Sequence, residues 1–220
     1  MILIKPSFKI MKILGGDFTE TTPLHLIERA GRTCYKSESL FDKNSAKEFV
    51  KRILKKGHES VIEHSAITVK FIIDRGVSHE LVRHRLCAFS QESTRYCNYK
   101  NNMTFIIPPW INLSPGEYLT DYIDTRQIDR EASTWFLGLK YAQDTYSTLL
   151  SFGWNPQQAR SVLPNALKTE LVVTANFREW RHIFKLRCAK AAHPQMREIM
   201  IPLHKKCMEI IPVVFDDIDY

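Results

Sequence analysis

Between positions 83 and 96 the chain reads RHRLCAFSQESTRY, which places Arg83, Arg85 and Arg95 around His84, Ser90, Gln91, Ser93 and Thr94. Arginine forks bind phosphate oxygens two at a time, and hydroxyls with a side-chain amide can complete an anion or base-edge site. The plainer explanation of Arg83 to Arg85 is a solvated helix end, where cations complement the negative end of the macrodipole. Ser90, Gln91, Ser93, Thr94 and Arg95 favour a ligand instead: the segment is hydrophilic yet contains no glycine, so its polarity does not come with flexibility.

Two other groups carry chemistry. KGHESVIEH sets His58, Glu59, Glu63 and His64 close together, but not in the HExxH spacing of a zinc helix, and no partner His/Cys pair stands at ligand spacing. No metal is expected, and His58 reads better as a residue just past a helix end that caps carbonyls or lines a pocket. Further on come Arg160 in QQARSVLP, then Asn176, Arg178, His182 and Arg187 in TANFREWRHIFKLR. On a helix Arg178, His182 and Lys185 can share a face. Arg181 and Lys185 fit a solvated face, whereas Arg187 lies among small and apolar neighbours and is harder to assign to solvent.

These motifs together resemble one family. Arg83-His84-Arg85, seven residues, then Ser93 is similar to the R-H-R-x7-S signature of flavin-dependent thymidylate synthases, and GHESVIEH, STRY, ARSVLP and TANFREWRHIFKLR continue the likeness in family order over roughly residues 20 to 205. The resemblance implies methylation of the uracil C5 of dUMP, with methylenetetrahydrofolate as one-carbon donor, NADPH as reductant and FAD as cofactor. It also implies a homotetramer whose active sites are shared between chains. By the same resemblance FAD is held by His58, Ser60, Arg83, His84, Arg85, Gln91, Asn176, Phe177, Arg178 and His182. The dUMP contacts fall to Glu80, Leu81, Val82, Arg83, Gln91, Glu92, Ser93, Thr94, Arg95, Arg160 and Arg187. Arg187 is the catalytic residue, placed against the pyrimidine, and Arg95 faces the phosphate. Three positions depart from the common family pattern: Ala88 where many members have Ser, Glu80 where many have Gln, and His182 where many have Asn.

An arginine at the ring suits this chemistry, because uracil C5 is a weak nucleophile and a fixed cation can meet the negative charge that develops on the ring. None of the cysteines is needed as a nucleophile, since the flavin supplies the reducing power. Two rival readings use the same residues. A nucleic-acid module would put the arginines on phosphates and needs exposed stacking aromatics, yet Phe49, Phe71, Trp135 and Phe136 fall mostly on apolar stripes. A hydrolase built on His58, Glu63 and His64 would need a metal.

Positioning these residues takes a core, and 220 residues suffice for one domain. With 44% apolar and 25% charged residues, the composition excludes disordered, collagen-like and all-membrane chains. The apolar runs are too short to cross a bilayer, and Lys5, Pro6, Lys9 and Lys12 interrupt the N-terminal one. Cytoplasm is the expected location. Five cysteines without a CxxC pair argue against a disulfide framework, and a net charge of +7 suits an anionic partner without choosing between nucleic acid and a phosphorylated small molecule.

Strands are predicted for FKIMKIL, for AITVKFII with Ile67, Val69, Phe71 and Ile73 on one face, and for ELVVTAN ending at Asn176. Helices are predicted from Thr22-Pro23 with Leu24, Ile27 and Ala30 inward, from Asn44 to Gly57, and from Asp74 or Ser78 to Arg83–Arg85. Others run from about Thr125 to Phe152, from Asn155-Pro156 to Pro164, from about Arg178 to Ala191, and from Pro194 to Ile210, where Pro202 is a possible kink. SVIE at 60–63 matches a capping box. Residues 87–98 and the stretch from 101 to 118 read as loops. The expected fold is one α+β domain over 1–220, helix-rich with a small mostly antiparallel sheet.

Overall fold

The computed structural model describes residues 1–15, 22–42, 44–100, 103–118 and 129–220. In chain order they form β1 (Ile2–Ile4), β2 (Ser7–Leu14), α1 (Pro23–Cys34), α2 (Ala46–Lys55), β3 (Ala66–Asp74), α3 (Arg75–Leu81) and β4 (Ala88–Gln91). There follow β5 (Thr104–Ile106), β6 (Gly116–Glu117), α4 (Arg130–Ser151), α5 (Pro156–Ala159), β7 (Lys168–Asn176), α6 (Phe177–Arg187) and α7 (Pro194–Ile210). Short 3₁₀ turns lie at Glu38–Leu40, Glu59–His64 and Arg160–Val162. The class is α+β with more helix than strand, as expected. One sheet has the order β5-β1-β6, with β1 parallel to β5 and antiparallel to β6; the other has the order β2-β3-β7-β4.

Two compact units divide the chain. Unit 1 takes Met1–Ser7, Phe71–Arg83 and Ser90–Leu171; unit 2 takes Phe8–Lys70, His84–Phe89 and Val172–Tyr220. Unit 1 packs Leu3, Met103, Phe105 and Ile107 with Phe136, Leu139 and Tyr146 of α4 in one apolar cluster. Asn155 opens α5 by accepting from the Gln158 N–H, and the Gln158 side chain returns to the Asn155 N–H, so the helix start predicted at Asn155-Pro156 holds.

In unit 2, α6 buries Phe177, Trp180, Ile183 and Phe184, and α7 buries Met196, Ile199, Met200, Leu203 and Cys207. Trp180 stacks on Phe184, Phe215 meets Phe184 edge-on, and the Trp180 Nε1–H donates to the Ile67 carbonyl at 3.0 Å. Burial of each such aromatic contributes about 1.5–3 kcal/mol, which makes α6 a rigid bar along its inner face. Gly31 lets α1 lie close to α2, since a Cβ there would come 2.5 Å from the Phe49 ring.

The helix ends matter most for function, and several differ from the sequence reading. α1 does begin after Thr22 with Pro23, but its buried residues are Ile27, Glu28, Gly31 and Arg32; Leu24 and Ala30 are half-buried. Glu28 and Arg32 go inside because they pair at 2.6 Å along one helix face. α2 begins after Ser45 rather than Asn44 and without a side-chain cap, the Ser45 hydroxyl lying instead 2.7 Å from Glu28 and 2.8 Å from the Asp42 carbonyl. Gly57, at φ +74°, closes α2: its N–H donates to the Leu54 carbonyl and that of His58 to the Ile53 carbonyl. SVIE is no helix start but lies inside the 3₁₀ turn Glu59–His64.

α3 starts at Asp74, whose carboxylate accepts from the Val77 N–H at 2.8 Å, and ends at Leu81. Arg83 to Arg85 therefore lie beyond the helix, and residues 87–98, expected as loop, contain β4. The stretch from 101 to 118 likewise contains β5 and β6. α4 runs to Ser151; its expected start near Thr125 lies outside the described residues. α6 stops at Arg187 instead of Ala191, because Ala189 to Ala192 form a separate turn leading into Pro194.

Candidate functional site

In unit 2 the turn after α3 drops His84 into the protein, 5% exposed, facing α6. The Arg187 Nε–H donates to His84 Nε2 at 3.0 Å, His84 Nδ1 faces Glu179 Oε1 at 3.4 Å, and the His182 ring meets His84 edge-on at 5.7 Å between centroids. Three residues of α6 thus converge on one imidazole. Burial, then the positive field of Arg187 and His182, lowers the His84 pKa to about 4, so the ring is neutral at pH 7. Burial raises the Glu179 pKa, opposed by the nearby His182.

Beside this cluster lies a cleft of about 640 Å³ lined by Asn176, Arg178, Glu179, His182 and Lys185 of β7 and α6, with Glu59 and Glu63 from the 3₁₀ turn. Asn176 caps α6, its Oδ1 accepting from the Glu179 N–H at 2.8 Å. Arg178 is exposed and donates from Nη1 to Glu63 Oε1 at 2.6 Å. Phe177 belongs to the core: its ring is buried against Phe215 and its N–H donates to the Ser65 carbonyl. Ser60 and Arg85 are exposed, and so is His58, whose Nδ1 lies 3.2 Å from the Tyr35 hydroxyl.

Arg181 is not on a solvated face. It is 3% exposed, donates to the Val214 carbonyl, pairs through Nη2 with Asp217 at 2.8 Å and through Nε with Glu59 at 3.3 Å. It fastens the C-terminal segment, which a helix-face pattern cannot reveal because the partner lies 36 residues away. Lys185 is exposed, as expected.

Unit 1 holds the second group. Gln91, at the end of β4, donates from Nε2 to Ser78 Oγ (2.9 Å) and Thr169 Oγ1 (3.3 Å). The Glu92 carboxylate accepts from Lys168 Nζ (2.9 Å), the Tyr99 hydroxyl (2.9 Å) and the Glu170 N–H (3.1 Å). Anchored there, the chain turns: the Ser93 carbonyl accepts from the N–H groups of Tyr96 and Cys97, and Ser93 Oγ from that of Arg95 at 3.3 Å. Arg160 Nη1 donates to Thr94 Oγ1 at 3.4 Å, so ARSVLP touches the signature loop. Arg95 and Arg160 are exposed, and the Arg95 guanidinium lies 5.4 Å from the centre of the exposed Tyr96 ring. Leu81 ends α3, flanked by half-buried Glu80 and Val82, with Arg83 exposed in the turn beyond.

Sequence reasoning missed Glu179, Lys168 and Tyr99. Glu179 had a signal, three residues after Asn176 and three before His182. Lys168 had none, because Glu92 lies 76 residues away, and Tyr99 had none, because the seven-residue step from Glu92 crosses no regular element whose period could pair them. Among the described residues a metal could gather at His84, Glu179 and His182, whose ligand atoms lie within 4.8 Å of one another, and not at the sequence-stretch trio His58, Glu63 and His64. The donor set speaks against an ion: one imidazole nitrogen is already filled by Arg187, and a fixed guanidinium repels a dication. The aromatics Phe49, Phe71 and Phe136 are buried, which deprives a nucleic-acid reading of its stacking surface at those positions. Among the described residues no helix is long and apolar enough to cross a membrane.

The sequence profile of the family described as "Thymidylate synthase complementing protein" matches residues 18–213. Two proteins named flavin-dependent thymidylate synthase, from Mycobacterium avium (strain 104) and Mycolicibacterium gilvum (strain PYR-GCK), are 34% and 35% identical over 199 residues, covering 88% of this chain and 79% of each relative. A crystal structure of the UMP/dUMP methylase PolB from Streptomyces cacaoi, bound with 5-Br dUMP, superposes with a TM-score of 0.76 over 98% of this chain and 96% of that one; at 20% identity it establishes the fold. Signature residues brought together within each unit, a profile match along nearly the whole length and relatives at a third identity all agree: the chain belongs to the thymidylate synthase complementing protein family, that of the flavin-dependent thymidylate synthases.

Proposed function

We propose that the chain is a flavin-dependent thymidylate synthase that methylates C5 of dUMP, using methylenetetrahydrofolate as one-carbon donor, NADPH as reductant and FAD as cofactor. The observation that carries the reading is Arg187 held at 3.0 Å by neutral His84 beside the cleft along α6. A half-buried, oriented guanidinium is what a reaction building charge on a pyrimidine needs, and fixed donors of this kind stabilise a transition state by about 3 to 4 kcal/mol. FAD, when bound, supplies the hydride that no side chain can deliver.

The residues present suit FAD. Arg178 and His182 line the cleft, and the Arg178 guanidinium, which donates to Glu63 Oε1 at 2.6 Å, can donate to a phosphate oxygen in its place. Asn176, His84 and Arg85 are the further contacts in the same unit, and His58 and Ser60 flank the turn that carries Glu59 and Glu63; Arg83 and Gln91 are FAD contacts by family resemblance alone. For dUMP, Arg95 and Arg160 bind the phosphate end together with the Ser93 and Thr94 hydroxyls. Glu92 acts from behind, since its carboxylate is engaged by Lys168, Tyr99 and the Glu170 N–H. Its task is to hold the loop. Glu80, Leu81 and Val82 shape the approach from α3. The assembly is a homotetramer with sites shared between copies, checked by light scattering.

The reading is tested by FAD titration of the purified protein, followed by flavin fluorescence and calorimetry. Saturable binding with quenching is expected, weakened more for FAD than for dUMP by Arg85→Ala. Protein that binds dUMP but takes up no FAD removes the flavin assignment.

A further inference from the structure

Arginine cannot accept a hydrogen bond, so the imidazole nitrogen facing Arg187 Nε must present its lone pair. In a neutral ring the proton then lies on Nδ1, the nitrogen that faces Glu179 Oε1. Glu179 is 7% exposed and stands in the first turn of α6, while Arg187 is the last residue of the same helix. Trp180 and Phe184, both buried, fix that helix in the core, so carboxylate, ring and guanidinium are held in one rigid frame.

We propose that Glu179 is a positioning residue for the reaction: its carboxylate selects the Nδ1–H tautomer of His84, and the Nε2 lone pair thereby presented sets the plane of the Arg187 guanidinium. The inference rests on Arg187 acting at the pyrimidine. Burial supports it by keeping the ring neutral, with its pKa near 4. A plainer role for Glu179 is helix capping, because an Asn cap followed three residues later by Glu is a capping pattern. The Asn176 half of that pattern is made; the Glu179 carboxylate faces His84.

The test uses the full chain loaded with FAD. Glu179→Leu is expected to lower kcat at saturating FAD and dUMP by roughly 10- to 100-fold, the cost of a misplaced catalytic group, with dUMP Kd within about twofold. Glu179→Gln, whose amide oxygen still accepts from Nδ1–H, recovers most of that loss. In an Arg187→Lys background Glu179→Leu costs little more, because both changes act through one group. Nitrogen NMR of His84 in the unmutated protein is expected to find the proton on Nδ1 and a lone pair on Nε2.

Unaltered kcat in Glu179→Leu, equal losses in both backgrounds, or a proton on Nε2 overturns the proposal. A proton on Nε2 overturns it even where Glu179→Leu does not fold, and a Glu179→Gln variant with the kcat loss of a missing acceptor overturns it as well. A failure of the underlying reading has its own mark: Arg187→Lys alone then keeps its turnover. If Arg187→Lys is impaired and Glu179→Leu is not, Arg187 stands and the role given to Glu179 falls.

Discussion

Arg187 in unit 2 is half-buried with its Nε committed to a buried neutral histidine, whereas Arg95 and Arg160 in unit 1 are exposed, on the loop after β4 and the 3₁₀ turn after α5. The contrast has a physical reading. Two charges 4 Å apart interact by about 1 kcal/mol in bulk water and about 4 kcal/mol near a protein surface, and by more as the dielectric falls. A cation that must respond to charge appearing on a ring is worth most where water is scarce, and it must be aimed beforehand. A cation that captures a phosphate carrying its charge throughout works well at the surface, where little desolvation is lost. Under the proposed roles, unit 2 aims its arginine through an imidazole. Unit 1 instead fixes the backbone that carries its arginine, through the Glu92 carboxylate and the hydrogen bonds to the Ser93 carbonyl.

The sharpest way to break this contrast is to exchange charge for charge in unit 2. Arg187→Lys keeps the positive charge but loses the planar fork, and turnover at saturating dUMP is expected to fall roughly 100- to 1,000-fold with dUMP affinity nearly intact. If affinity falls and turnover does not, Arg187 is an anchor and the two units do not differ in kind. The matching change in unit 1, Arg95→Ala, is expected to weaken dUMP roughly 10- to 100-fold and to bring deoxyuridine and dUMP closer as ligands. Calorimetry with both ligands checks it; a loss shared equally by deoxyuridine places Arg95 away from the phosphate.

Acid sharpens the comparison without mutation, because only the unit 2 arginine depends on a neutral histidine. The unfolded chain binds a proton at His84 near 6.5, the folded one only near 4. Nothing is lost above about pH 6.5, and stability falls as pH drops through the interval, by roughly 2 kcal/mol at pH 5 for this group. Urea unfolding of the ligand-free protein at pH 7 and pH 5 measures the fall, and His84→Gln should flatten it. A pH dependence identical with and without His84 contradicts the burial argument. The smallest effect is expected at Cys87, whose thiol burial and then Glu179 push up to about 12. Such a thiol is no nucleophile at neutral pH, and Cys87→Ala should keep turnover within about twofold; complete loss with both ligands bound assigns it a covalent role.

Long periodic segments were legible in the sequence. The alternation of β3 and the apolar stripe of α7 fix both elements, and α7 runs from Pro194 to Ile210 as expected. Short strands were not, because β1, β5 and β6 span too few residues for a period to develop. β4 was hidden for a different reason: its residues belong to the polar signature segment, and their strand state comes from pairing with β7. The helix-face pattern also misplaced Arg181, since a guanidinium paired with a distant carboxylate is buried where an isolated one would not be. At the site, the chemistry-bearing types were visible and the supporting ones were not. Glu179, Lys168 and Tyr99 act through contacts that only the fold creates.

Formation of dTMP tests the central claim most directly. Purified protein supplied with FAD, NADPH, methylenetetrahydrofolate and labelled dUMP should yield dTMP, and omitting any one of the four should abolish it. No dTMP from protein that binds both FAD and dUMP, or dTMP formed equally well without flavin, would contradict the account.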